Sequence, residues 1–231
     1  MSEGGRLHGR QRELDTLEEL LAGAARGHGG VVLLEGEPGI GKSRLVAELA
    51  ERASVSGFGV FVGRGDEIGS LRPFGPIVDA LDLRPDSDDP DAALAGRILA
   101  GDREQESSAV FPLGREARAR VLDAVLGIID RSTSQQPTLV VVDDLQWVDE
   151  DTLFVLIALA RRASTLPLVV GLTTRTHPRP APLTTARRAL VDAGAELLTI
   201  APLPREVLPS LVADLVGSNP GPRLLADAGR A

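Results

Sequence analysis

The chain has 231 residues, of which 43% are hydrophobic and 25% charged, the balance of a folded globular protein and not of a disordered one. It contains no cysteine, which excludes disulfides, thiolate metal sites and a cysteine nucleophile. A net charge of −8 argues against a general nucleic-acid coat or a polybasic membrane anchor.

Two further readings follow from the residue inventory. No apolar run approaches the roughly 20 residues of a spanning helix, and the first dozen residues lack an apolar signal core, so a soluble, cytoplasmic protein is expected. Of the 25 basic residues, a single one, Lys42, is lysine. A chain that otherwise uses arginine for every positive side chain must have a use for lysine at that position.

After a polar start, Leu14, Leu17, Leu20, Leu21 and Ala24 follow helical spacing from Arg10 to about Ala25, and Gly27, Gly29 and Gly30 stop that helix. Val31–Glu35 is an apolar run suited to a buried parallel strand. A glycine-rich turn leads into a helix from Lys42 to Ala53, with Leu45, Val46, Leu49 and Ala53 inward, and Phe58–Val62 reads as a second strand. Pro73–Leu83 is a turn entering a short helix. Arg84–Asp91, with Pro85, Pro90, Asp86, Asp88, Asp89 and Asp91, reads as an exposed, mobile loop. A weak helix is expected over Ala92–Ala100, a polar stretch over Gly101–Ser108, and a firmer helix over Arg115–Asp130. Strands at Thr138–Val142, Pro167–Thr174 and Glu196–Ile200 then alternate with helices at Asp151–Arg162, Thr184–Ala193 and Arg205–Val216. Such alternation predicts a parallel α/β sheet covered on both faces.

The segment Gly36-Glu-Pro-Gly39-Ile-Gly41-Lys42-Ser43 fits G-x-x-x-x-G-K-[ST] completely, and it lies between an apolar strand and an amphipathic helix as that motif requires. Glycines let several backbone N–H groups converge on one anion, and the following helix adds its positive end. Lysine suits a tight phosphate cradle because it is a compact point charge, whereas the arginine fork is broad and planar. Ser43 offers a hydroxyl to Mg²⁺. The expected nucleotide contacts are therefore Gly36, Glu37, Pro38, Gly39, Ile40, Gly41, Lys42, Ser43 and Arg44.

The apolar run Leu139–Val142 ends in Asp143 and Asp144. Ligands of open parallel sheets sit outside the carboxyl ends of the strands, so Asp143 is expected to hold Mg²⁺ and Asp144 to orient or deprotonate a water. Asp149 is balanced between a helix N-cap and a functional contact. Trp147 is expected to pack against the sheet, with a wall near the nucleotide as the alternative. The strand ending in Thr174 brings Arg175 to the same edge, where a guanidinium can bond two phosphate oxygens together. His8, His28 and His177 are too far apart in sequence to form a ligand-spaced cluster.

Together these residues resemble the nucleotide-binding domain of AAA-like STAND ATPases, and more narrowly the N-terminal ATPase module of LuxR-type, MalT-like bacterial regulators and related adenylate-cyclase-associated proteins. The matching pieces are Gly9-Arg10-x-x-Glu13-Leu14, Gly36–Ser43, Pro73-Phe74-Gly75-Pro76 with Asp79-Ala80-Leu81, Asp143-Asp144-Leu145-Gln146-Trp147-x-Asp149, and Thr174-Arg175. The resemblance implies a three-layer P-loop NTPase (ASCE/AAA-like) fold with strand order 5-1-4-3-2. It also implies Gly9 and Arg10 near the adenine, Arg175 as the sensor arginine, ATP or ADP with Mg²⁺ as cofactors, and switching that often involves homo-oligomers or a partner protein. On this reading residues 1–30 are an N-terminal segment and helix, 31–203 the ATPase core with an irregular insertion at 84–108, and 204–231 the start of a helical lid. Relatives continue into a full lid, a repeat region and often a DNA-binding helix-turn-helix. Gly217-Ser-Asn-Pro220 resembles the lid's Gly-Asn-Pro element but falls too early to be assigned a role.

The leading expectation is a Mg²⁺-dependent ATPase of slow turnover, with Lys42, Asp144 and Arg175 in the catalytic roles. The alternatives are a nucleotide-binding interaction module without hydrolysis and a P-loop kinase for a small molecule. The acidic charge opposes direct nucleic-acid contact, and no membrane contact is expected.

Overall fold

The computed structural model describes residues 7–67, 72–104 and 114–216. Five strands form one sheet: β1 (Gly30–Glu35), β2 (Gly59–Arg64), β3 (Thr138–Asp143), β4 (Leu168–Thr174) and β5 (Glu196–Thr199). All neighbours are parallel, and the order across the sheet is β5-β1-β4-β3-β2, the 5-1-4-3-2 order that the resemblance implied.

The helices are α1 (Gln11–Ala25), α2 (Lys42–Val55), α3 (Gly75–Leu81), α4 (Pro90–Glu104), α5 (Arg115–Gln135), α6 (Glu150–Ala163), α7 (Ala181–Asp192) and α8 (Leu208–Val216). Strand alternation sorts the apolar side chains into two cores. Val32, Leu34, Leu139, Val141 and Val169 face α1 and α2. Val31, Leu33, Val140, Val142 and Leu172 face the other way, toward α3 to α7. Burying one Val or Leu contributes about 1.5–3 kcal/mol, and three adjacent strands with both faces covered form the rigid centre of the molecule.

Most spans fall within two or three residues of the sequence reading. Strand β2 runs on to Arg64, two residues past Val62. Helix α5 continues to Gln135. Helix α7 begins at Ala181, since Pro182 lies in its first turn, where a missing N–H is harmless.

One expectation is corrected. Residues 84–89 are a largely exposed loop, as expected, but most of the described part of 84–108 is the regular helix α4. Asp89 Oδ1 accepts from the backbone N–H groups of Asp91 and Ala92 at 2.9 and 3.0 Å, which starts the helix. Arg131 on α5 donates to both Asp89 oxygens at 2.7 Å and to Asp91 at 2.5 Å. Burial acts to raise the Asp89 carboxyl, but the Ala92 N–H and the Arg131 guanidinium outweigh it and hold the group below its ordinary value. Two of the four aspartates, Asp89 and Asp91, thus anchor α4 to α5, while Asp86 and Asp88 are exposed. Residues 105–108, and the 217–231 part of the expected lid with Gly217–Pro220, lie outside the described residues.

Candidate functional site

The sheet register aligns the chemistry along one edge. Glu35 pairs with Thr174 across β1 and β4, Val142 with Leu172 across β3 and β4, and Arg64 with Asp143 across β2 and β3. The turn from β1 to α2 therefore opens at the same edge as the carboxyl ends of β3 and β4.

That turn depends on two glycines. Gly39 and Gly41 adopt φ of +76° and +103°, conformations that side-chain-bearing residues resist. Lys42 follows at the start of α2 and is 6% exposed. Its Nζ donates to the carbonyls of Gly36 and Glu37 at 2.9 and 3.0 Å, so the ammonium lies inside the curve of its own loop. Burial lowers its pKa below 10.5, against the pull of Asp144 and Asp143; Arg175 adds to the lowering and Glu37 opposes it. These four charges act on one ammonium because the loop, the end of β3 and the end of β4 converge. Ser43 is exposed and Arg44 half-buried on the first turn of α2.

At the end of β3 the two aspartates have different surroundings. Asp143 is 7% exposed and accepts from Thr173 Oγ1 at 2.5 Å. Asp144 adopts φ +61°, a left-handed conformation costing on the order of 1 kcal/mol. Three contacts hold it there: its N–H donates to Thr173 Oγ1 at 2.9 Å, its Oδ1 accepts from Gln146 Nε2 at 2.7 Å, and its Oδ2 accepts from Arg64 Nη2 at 3.2 Å. Among the described residues, no cluster of three His, Asp or Glu side chains could hold a metal ion unaided. One hydroxyl and one carboxylate fit Mg²⁺ only if phosphate oxygens and water complete the shell, which is how Mg²⁺ is normally bound.

Arg175 follows β4. Its N–H donates to Gln146 Oε1 at 3.2 Å, and its guanidinium lies over Trp147, 5.5 Å from the ring centroid. Trp147, half-buried, thus lies beside Arg175 at the site edge. Asp149 is the N-cap of α6: its carboxylate accepts from Thr152 N–H at 2.9 Å and Thr152 Oγ1 at 2.5 Å, and from the N–H of Phe74 at 3.0 Å. Arg10, 5% exposed, donates to the Ile40 carbonyl at 3.0 Å and to Glu13 at 3.0 Å, so it braces the phosphate loop directly. Gly9, at φ +67°, lies under Val207 and Leu203; a Cβ there would approach Val207 Cγ2 to 2.9 Å.

The AAA ATPase domain family matches residues 6–170. The chain belongs to that family. An uncharacterized protein of Rhizobium meliloti (strain 1021) is 28% identical over 199 residues, covering 74% of this AAA ATPase domain protein and 19% of the relative. The chain thus spans about a fifth of the curated relative it matches. Among solved structures, the Aeropyrum pernix ORC1 protein in complex with DNA aligns with a TM-score of 0.62 at 20% identity, over 98% of this chain and 56% of that one. AMPPCP-bound DnaA from Aquifex aeolicus aligns with a TM-score of 0.56 at 15% identity, over 96% and 56%. These likenesses establish the fold.

Sequence reasoning gave no role to Thr173, Gln146 or Arg64, which surround the aspartates, nor to Glu35 with Arg179 and Arg187. Gln146 was visible inside the Asp-Asp-Leu-Gln-Trp run. Thr173 needed the register of β4 against β3, and the reading of β2 stopped short of Arg64.

Proposed function

We propose that this AAA ATPase domain binds ATP and ADP at its phosphate loop and hydrolyses ATP slowly as a regulatory switch, the role of the LuxR-type, MalT-like STAND modules its motifs resemble. The observation that carries the reading is the convergence of Lys42, Asp143, Asp144 and Arg175 at one sheet edge, close enough for all three partners to act on the Lys42 charge. In this reading the N–H groups of the turn from Gly39 to Arg44 cradle the phosphates, and Lys42 leaves its two loop carbonyls to reach between them. Ser43 and Asp143 would hold Mg²⁺, which supplies charge neutralisation between the phosphates. Asp144, freed from Arg64, orients the attacking water and accepts its proton. Arg175 bonds the terminal phosphate oxygens, which ties phosphate loss to Trp147 and the 175–180 segment. Gly9 and Arg10 close on the base side. The AMPPCP held by the Aquifex protein supports a triphosphate in this fold. The net charge of −8 supports a switch module over a DNA reader, despite the DNA in the ORC1 complex.

Calorimetric titration with ADP and ATP, with and without Mg²⁺, tests binding, and phosphate release tests turnover. Lys42→Ala is expected to weaken nucleotide binding by about a hundredfold or more, the loss of a charge-assisted contact in a desolvated cradle; unchanged affinity would refute the assignment. Asp144→Asn keeps the shape and tolerates the left-handed backbone, so hydrolysis should fall about a hundredfold with binding nearly intact. Equal loss of both would remove Asp144 from the water-orienting role. The contacts of Asp144 to Arg64 and Gln146 favour one second reading, a module that binds nucleotide and does not turn it over. Intact ATP after prolonged incubation with the protein and Mg²⁺ would establish it.

A further inference from the structure

Glu35 ends β1 and immediately precedes the phosphate loop. Strand alternation turns it to the side of Val31 and Leu33, toward α6 and α7, where it is 6% exposed. A carboxylate beside a polyphosphate cradle repels the ligand, and burial of a charge is tolerated only when it is paired. The pairing is thorough. Arg187 on α7 makes a bidentate contact, Nε to Oε1 at 2.5 Å and Nη2 to Oε2 at 3.0 Å, and Arg179 Nη2 donates to Oε1 at 3.1 Å. The Glu35 hydrogen bond, ahead of any other influence, raises the Arg187 guanidinium above its ordinary value.

Both arginines belong to the segment that follows β4. Arg179 lies four residues after Arg175, and the same stretch is tied to the loop again by Thr176 Oγ1 donating to Glu37 Oε1 at 2.5 Å. The backbone adds Gly36 N–H to the Thr174 carbonyl at 3.3 Å. Arg175 itself is held by Gln146 and by the Trp147 face. The phosphate loop and the arginine strand end, which must keep a fixed separation, are joined by the Thr176–Glu37 and Gly36–Thr174 hydrogen bonds and, on the buried side, by the ion pairs of Glu35.

We propose that Glu35 is a positioning residue for Arg175: by gripping Arg179 and Arg187 it fixes the 175–180 segment against the phosphate loop. The link to hydrolysis rests on the function proposed above, but the link to Arg175 does not. An apolar residue at 35 would pack more cheaply, and the ion pairs instead specify one relative placement of the two elements. A misplacement of about 1 Å in a group that contacts the reacting phosphate is enough to cost of the order of a hundredfold in rate.

Trp147 is the sole tryptophan, and its ring carries Arg175, so its emission reports where that guanidinium lies. In nucleotide-free protein, Glu35→Gln should move the Trp147 emission and its iodide quenching toward those of Arg175→Ala. In steady-state hydrolysis it should lower kcat about tenfold with KM for ATP changed less than about threefold. Combining it with Arg179→Gln and Arg187→Gln should cost no more than Glu35→Gln alone, since the three act as one unit. Wild-type emission in Glu35→Gln, with only a lower Tm, would overturn the proposal and leave the cluster a structural clamp. If Glu35→Gln does not fold, Arg179→Gln takes its place in the emission test, because it leaves the Glu35–Arg187 pair intact. Failure of the wild type to hydrolyse ATP would sink the proposed function, while the emission comparison would still decide the role of Glu35.

Discussion

The three central strands and the two edge strands of this sheet follow different rules. Every residue of β3 and β4 is buried, as is all of β1 after its first residue. Strand β2 is mixed, and β5 is mostly exposed. The phosphate loop, both aspartates and Arg175 all leave from the buried three, while the edges contribute Arg64, whose side chain is largely in solvent. A site that must hold several charges in fixed relation is built where the backbone has least freedom, and a residue free to approach or leave Asp144 comes from the edge.

Paired core substitutions sharpen that contrast most. Leu33→Ala, at a fully buried β1 position, should cost about 2–5 kcal/mol of unfolding free energy, whereas Leu197→Ala on β5 should cost below about 1 kcal/mol. Urea denaturation of both variants measures it, and equal losses would show that the edge is as constrained as the centre. A smaller effect is expected at the junction behind the site. Asp149 caps α6 and also holds the N–H of Phe74, the residue before α3, which itself adopts φ +57°. Asp149→Ala should cost about 1–2 kcal/mol, and Asp149→Asn much less because the amide oxygen can still accept. If both variants are neutral, the cap does not hold the two helix starts together.

The same contrast explains what could be read from the chain before its fold was known. Gly36–Ser43 was legible because its chemistry is contiguous and its flanks are a strand and a helix. Asp143 was legible because it ends the apolar run Leu139–Val142, and Arg175 because it follows a strand that opens with the apolar run Leu168–Leu172; apolar runs mark the central strands. The body of α4 was legible as a weak helix over Ala92–Ala100, but its start was not: that boundary is fixed by Asp89 and its partner Arg131, 42 residues later. Thr173 and Thr174 cannot be told apart in sequence. Register gives Thr173 to Asp143 and leaves the Thr174 hydroxyl on the Arg175 carbonyl. Glu35 was the least legible of all. In sequence it is only the last residue of a strand, and its partners are 144 and 152 residues away. Charge pairs across that span carry no local pattern, and they were invisible until the order of β1, β4 and β5 set which helix covers which strand end.

The smallest expected effect is also the cleanest to assign. The chain has no tyrosine, no cysteine and one lysine, so between the range of an α-amino group and that of arginine Lys42 is the one side chain that titrates. Burial holds its folded-state pKa below 10.5, so through the interval from that lowered value up to 10.5 the unfolded chain binds more protons than the folded one. Stability of the nucleotide-free protein must then rise with pH across this interval, the reverse of what an unburied, ion-paired lysine would give. Urea midpoints taken in steps from pH 8.5 to 10.5 should climb for the wild type and stay level for Lys42→Met. A falling midpoint in the wild type would mean that Asp143 and Asp144 outweigh burial at the ammonium. The charge would then be stabilised by the loop before any phosphate arrives, and the central edge would be no more demanding of its lysine than a solvent-facing strand.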